Sequence, residues 1–91
     1  MTQTVNLLIS GRVQGVCFRR FTKNKAKQLD IKGTVKNLDD GRVEVVAQAE
    51  EPALNAFIKW CHKGPITARV DKVEITTINS VANQFSDFEI I

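Results

Sequence analysis

The stretch Ile9-Ser10-Gly11-Arg12-Val13-Gln14-Gly15-Val16-Cys17-Phe18-Arg19 joins an apolar run to a helix through a loop bracketed by two glycines. Upstream of it, Val5, Leu7, Ile9 and Val13 alternate as a strand over about residues 4–13, and Leu8 makes that strand apolar on both faces, as a central strand is. Downstream, Phe18, Phe21, Ala26 and Leu29 fall near helical spacing with Lys23, Lys25 and Lys27 turned outward. This predicts a helix over about residues 19–30, with Gly33 following its end. In the loop, Gly11 and Gly15 permit backbone angles and close approach that side-chain-bearing residues resist. Successive N–H groups there can point inward as a nest, and the helix N-terminus adds partial positive charge. Arg19 supplies a planar fork matched to phosphate oxygens. The stretch reads as a small anion cradle, and a phosphate group is its natural occupant.

The remaining elements follow in order. Val35 to Leu38 is a short strand, Asp39-Asp40-Gly41 a hairpin turn, and Arg42 to Ala49 the return strand. Pro52 suits the first turn of a second helix, in which Leu54, Phe57, Ile58 and Cys61 keep the spacing of a buried stripe before Lys63-Gly64-Pro65 stops it. Val70 to Ile78 is a further strand, with Val73, Ile75 and Thr77 alternating against polar neighbours, and Phe85, Phe88 and Ile90 mark a fifth. The order predicts an α+β fold: a ferredoxin-like βαββαβ sandwich, an antiparallel sheet with both helices on one face, plus a C-terminal fifth strand. A right-handed crossover makes the first two strands parallel, so their C-terminal ends share one edge of the sheet. The loop carrying Arg19 follows the first end and Asn37 sits at the second. Residues distant in sequence are thus predicted to meet.

With 91 residues, 43% hydrophobic and 25% charged, the chain reads as one globular domain spanning 1–91. No apolar run approaches the roughly 20 residues that cross a bilayer. The start, Met1-Thr2-Gln3-Thr4, lacks the positive charge of a signal peptide. Two cysteines without a paired framework point to a reducing cytosol, and a cytoplasmic, soluble protein is the expectation. The net charge of +3 is uneven: up to Leu38, Arg12, Arg19, Arg20, Lys23, Lys25, Lys27, Lys32 and Lys36 face Asp30 alone. The lysines suit a solvated helix face, and the same field draws anions toward the cradle.

The residues from Ile9 to Arg19 resemble the signature of the acylphosphatase family at every defining position, and Gly33-Thr34-Val35-Lys36-Asn37 with Gly41-Arg42-Val43 resembles its second signature. The likeness covers nearly the whole chain. It implies hydrolysis of acyl phosphates to a carboxylate and inorganic phosphate by a small, monomeric enzyme without cofactor, metal or phosphoenzyme. The family's phosphate-binding arginine falls on Arg19 and its water-orienting asparagine on Asn37. The phosphate-binding loop falls on Gly15, Val16, Cys17, Phe18 and Arg19, which inorganic phosphate or sulfate would also fit. The sequence departs from the family at Thr34, where an aromatic residue is usual, and at Ala49, where glycine is. Neither is a catalytic position, so the departures bear on acyl-group preference.

Each residue also has a plainer reading. Arg19 can make a surface ion pair, Asn37 can cap a turn, Arg20 can face solvent, Gln14 can be a loop hydrogen-bonder, and Phe18 can serve the core. His62 reads as an exposed helix-end residue, Cys61 as core, and Cys17 lacks the base partner a nucleophilic thiol needs. The cysteine spacing fits no metal motif. An RNA-binding module shares the element order, but the strand Arg42 to Gln48 offers no aromatic residue for base stacking, so no nucleic-acid partner is expected. A metal carrier would need Cys-x-x-Cys, which is absent. A regulatory domain that binds carbamoyl phosphate or a similar anion keeps the same site, and turnover alone separates it from an enzyme.

Overall fold

The computed structural model describes residues 2–78 and 85–91; Met1, with which the uncharged start begins, lies outside them. The elements are β1 (Thr2–Arg12), α1 (Phe18–Gln28), β2 (Lys32–Asn37), β3 (Val43–Glu50), α2 (Glu51–Lys63), β4 (Arg69–Ile78) and β5 (Phe88–Ile90). They form the ferredoxin-like arrangement, a sheet of order β4-β1-β3-β2-β5. β3 runs antiparallel to both β1 and β2, so β1 and β2 are parallel to one another, and β5 joins the edge parallel to β2.

Alternation on the strands supplies one wall of the core: Val5, Leu7 and Ile9 on β1, Val35 on β2, Val43, Val45 and Ala47 on β3, and Phe88 on β5. Phe18 and Ala26 of α1 and Leu54, Phe57 and Cys61 of α2 supply the other. The opposite face of the central strands carries Asn6, Leu8, Thr34, Lys36, Glu44 and Val46, all half-buried and none aromatic. A buried polar pair, Gln48 Nε2 donating to Thr4 Oγ1 at 2.9 Å, reinforces the β1–β3 register.

Several elements differ from the sequence-based expectation. Phe21 is 43% exposed, and Thr22 takes its place on the buried stripe, with its hydroxyl satisfied by the Phe18 carbonyl at 2.8 Å. Positions 18, 22 and 26 follow the i, i+4 row, whereas Phe21 falls to its edge. Gly33 follows the end of α1 as expected, but the closure is made before it. The helix closes at Leu29, and Asp30 adopts the left-handed conformation (φ 62°) while Ile31 N–H returns to the Ala26 carbonyl at 2.8 Å and Asp30 N–H to that of Lys27 at 3.2 Å. That is a Schellman closure with aspartate where glycine is usual. Freed of that duty, Gly33 lies within β2, which therefore begins at Lys32 and not Val35. On β4, an edge strand, Ile75 is exposed. Phe85 precedes β5 and is half-buried.

Candidate active site

β1 ends in an irregularity that aims the next loop. Its register against β4 shifts between Ser10 and Gly11. Gly11 (φ 132°) lies so close to the Arg69 carbonyl that a Cβ would overlap that oxygen. The chain then turns through Gly15 (φ 74°) and Cys17 (φ 60°, ψ 23°), both left-handed, into α1. Left-handed residues interspersed along a turn aim successive N–H groups at one point, the geometry of an anion nest.

Those donors are open. No hydrogen bond from the N–H of Gly15, Val16 or Cys17 to a backbone carbonyl occurs among the described residues. The first N–H groups of a helix have no intrahelical acceptor. At this helix Cys17 gives no side-chain cap, and the first turn holds no acidic residue. The positive end of α1 is therefore left uncompensated by the protein.

These groups line a pocket of about 390 Å³ with Val13, Gly15, Cys17, Phe18, Arg19, Arg20, Asn37 and Ile90 on its walls. Arg19 and Arg20 are the charged side chains in this lining, and neither forms an ion pair among the described residues. Asn37 ends β2 and is half-buried, yet its Oδ1 is buried and accepts no hydrogen bond from the described residues. A buried acceptor left so is destabilising unless something else donates to it.

Of the residues singled out in the sequence, Gly15, Cys17, Phe18, Arg19 and Asn37 meet at this pocket. Val16 does not line it; its side chain is half-buried against the core and only its backbone belongs to the loop. His62 is exposed at the end of α2 and lies outside the lining. Cys61 is fully buried, and burial pushes its thiol far up, so it is inert. Both cysteines are free. Among the described residues no group of three or more His, Cys, Asp or Glu side chains is placed to hold a metal ion. No described helix is long and apolar enough to cross a membrane.

Three contacts that build the site were not read from the sequence. Gln14 donates both N–H bonds of its carboxamide across the site, to Leu38 O at 2.8 Å and Arg42 O at 2.9 Å, and so ties the cradle loop to the neck of the β2–β3 hairpin. Thr67 Oγ1 donates to Val16 O at 3.0 Å from the opposite side. Ile90 reaches the pocket because β5 pairs with β2, Val35 opposite Ile90. Only Gln14 left a signal, a polar residue inside the glycine-bracketed loop.

The acylphosphatase family model matches residues 5–90. The chain belongs to the acylphosphatase family. An acylphosphatase of Anaeromyxobacter dehalogenans is 45% identical over 84 residues, 92% of this chain and 89% of that one. The structure of acylphosphatase from Bacillus subtilis superposes with a TM-score of 0.92 at 35% identity, over 100% of this chain and 99% of the other. An acylphosphatase structure from Coxiella burnetii gives 0.91 at 37% identity, over 99% and 93%. The chain is thus an acylphosphatase-family enzyme, and the pocket between the cradle loop and Asn37 is its candidate active site.

Proposed function

We propose that residues 1–91 form one catalytic domain, acting as a cytoplasmic monomer, that hydrolyses acyl phosphates by direct attack of water on phosphorus. The N–H groups from Gly15 to Arg19 and the Arg19 guanidinium hold the phosphoryl oxygens and stabilise their charge. Asn37 Oδ1 accepts a hydrogen bond from the water and turns its lone pair toward phosphorus. The P–O bond to the acyl group breaks, and its electron pair leaves on a carboxylate. Carboxyl groups have pKa values of about 4, so this group departs without being protonated. Phosphoryl transfer of this kind depends on positioning and charge stabilisation, and the reading calls on no metal ion and no covalent intermediate.

The observation that supports this reading most is the pairing, in one pocket, of a buried acceptor on Asn37, open N–H donors and Arg19, all without a partner among the described residues. The test is hydrolysis of benzoyl phosphate in ¹⁸O-labelled water, with and without a chelator. Chelator-resistant turnover with label in inorganic phosphate is expected. Label in benzoate would mean attack at the acyl carbon and contradict the reading. Phosphate binding without turnover would make the chain an anion sensor.

A further inference from the structure

We infer that Thr67, which lies outside both signature stretches, is a positioning residue that keeps one N–H of the phosphate cradle pointing at the substrate. The inference rests on the reading of the 15–19 loop as that cradle.

Thr67 stands on the connection between α2 and β4, and that connection is fixed against the cradle from several directions. Gly11 and Arg12 pair with Val70 and Arg69, which sets the two loops side by side. Gly64 N–H donates to Trp60 O at 2.7 Å and Ala68 N–H to Pro65 O at 2.9 Å, closing the connection into a tight turn. Gly64 is packed so closely on Phe18, the first residue of α1, that a Cβ there would stand 3.2 Å from the phenyl ring. From this anchored turn the Thr67 hydroxyl donates to the Val16 carbonyl at 3.0 Å.

The consequence follows from peptide geometry. In a trans peptide the C=O of one residue and the N–H of the next point in opposite directions. By holding the Val16 carbonyl, Thr67 turns the Cys17 N–H away from itself. Cys17 lines the pocket and Thr67 does not, so the N–H is directed to the substrate side.

The orientation needs holding. Cys17 sits at φ 60°, a conformation that disfavours any side chain. Rotating the Val16–Cys17 peptide by half a turn would leave ψ of Cys17 at 23° and carry its φ from 60° to about −120°, a negative φ near the bridge region that a side-chain-bearing residue takes more readily than the left-handed one. The same flip would replace an N–H in the cradle with a carbonyl oxygen, which repels a phosphoryl group. Backbone preference at Cys17 thus favours the wrong orientation, and the Thr67 hydroxyl opposes it.

The test measures inorganic phosphate binding by calorimetry, together with KM and kcat for benzoyl phosphate, in wild type, Thr67→Val and Thr67→Ser. Thr67→Val is expected to weaken phosphate binding and raise KM by about fivefold to tenfold, as loss of one hydrogen bond implies, while Thr67→Ser stays within about twofold of wild type. In the Cys17→Gly background, where nothing drives the flip, the cost of Thr67→Val is expected to shrink to about twofold or less. The Cys17 amide resonance is expected to move downfield on adding phosphate to wild type and to move little in Thr67→Val. Equal phosphate binding in Thr67→Val and wild type, or no rescue by serine, would overturn the inference while leaving the cradle reading intact. Absence of phosphate binding in wild type itself would instead overturn the cradle reading, and the inference with it.

Discussion

The Gln14 carboxamide donates to the Leu38 carbonyl across 2.8 Å, and Leu38 directly follows Asn37. The second donor of the same amide takes the Arg42 carbonyl at 2.9 Å, which also accepts the Leu38 N–H at 2.8 Å. One side chain therefore ties the loop proposed as the phosphate cradle to the strand end that carries Asn37. Gln14→Ala removes two hydrogen bonds, which corresponds to about 2 kcal/mol of stability. It is expected to lower kcat by about tenfold or more through misplacement of Asn37. Gln14→Glu should be worse than Ala, since its carboxylate faces two carbonyl oxygens beside an anion site. Urea unfolding and steady-state kinetics on both variants check this.

Among the described residues, two that are not glycine hold left-handed backbone, Cys17 (φ 60°) and Asp30 (φ 62°). The second closes α1 far from the pocket lining. Asp30→Gly should raise stability by about 1 kcal/mol, a gain of about 4–8 °C in Tm for a domain of this size. Cys17→Val, β-branched at a positive φ, should lower Tm and weaken phosphate binding together. Thermal scans with and without phosphate separate the two effects.

Gly11→Ala should be damaging, because the added methyl would overlap the Arg69 carbonyl at a φ of 132°. A loss of about 3 kcal/mol is expected, with weaker phosphate binding because the β1–β4 irregularity aims the cradle loop. Chemical denaturation measures the first and calorimetry the second.

Acid should weaken the edge of the sheet beside the site. The Phe88 N–H, donated at 2.8 Å, and then Lys27 hold the Asp87 carboxyl below the usual range, and the Arg42 backbone N–H and side chain do the same for Asp40. Both folded-state values are depressed. Their stabilisation is therefore present above the ordinary carboxylate range and is lost as pH falls through the folded-state values, below about pH 4. Asp87→Asn should flatten part of that acid dependence in urea midpoints measured from pH 7 downward.

The ferredoxin-like fold was legible because its elements obey simple periods: Val43, Val45 and Ala47 at every second residue, Leu54, Phe57 and Cys61 at helical spacing. The meeting of Arg19 with Asn37 was legible too, since crossover handedness places both strand ends at one edge. What failed had local competitors. Gly33 looks like a helix stop, but the stop is Asp30, and Gly33 is needed within β2. Phe21 looks like core, but Thr22 can hide its hydroxyl on Phe18 and take the inner position. The place of Thr67 and Ile90 at the site could not be read, because it depends on which loops and edges the folded sheet sets side by side.

The central claim is that binding and turnover are divided between the cradle and Asn37. The most direct test is Asn37→Ala, measured for phosphate affinity and for kcat on the same preparation. The account predicts phosphate binding within about twofold of wild type, with kcat reduced about 100- to 1000-fold, the scale of losing one preorganised polar group at a reacting centre. Retained turnover, or phosphate binding lost along with it, would contradict that division.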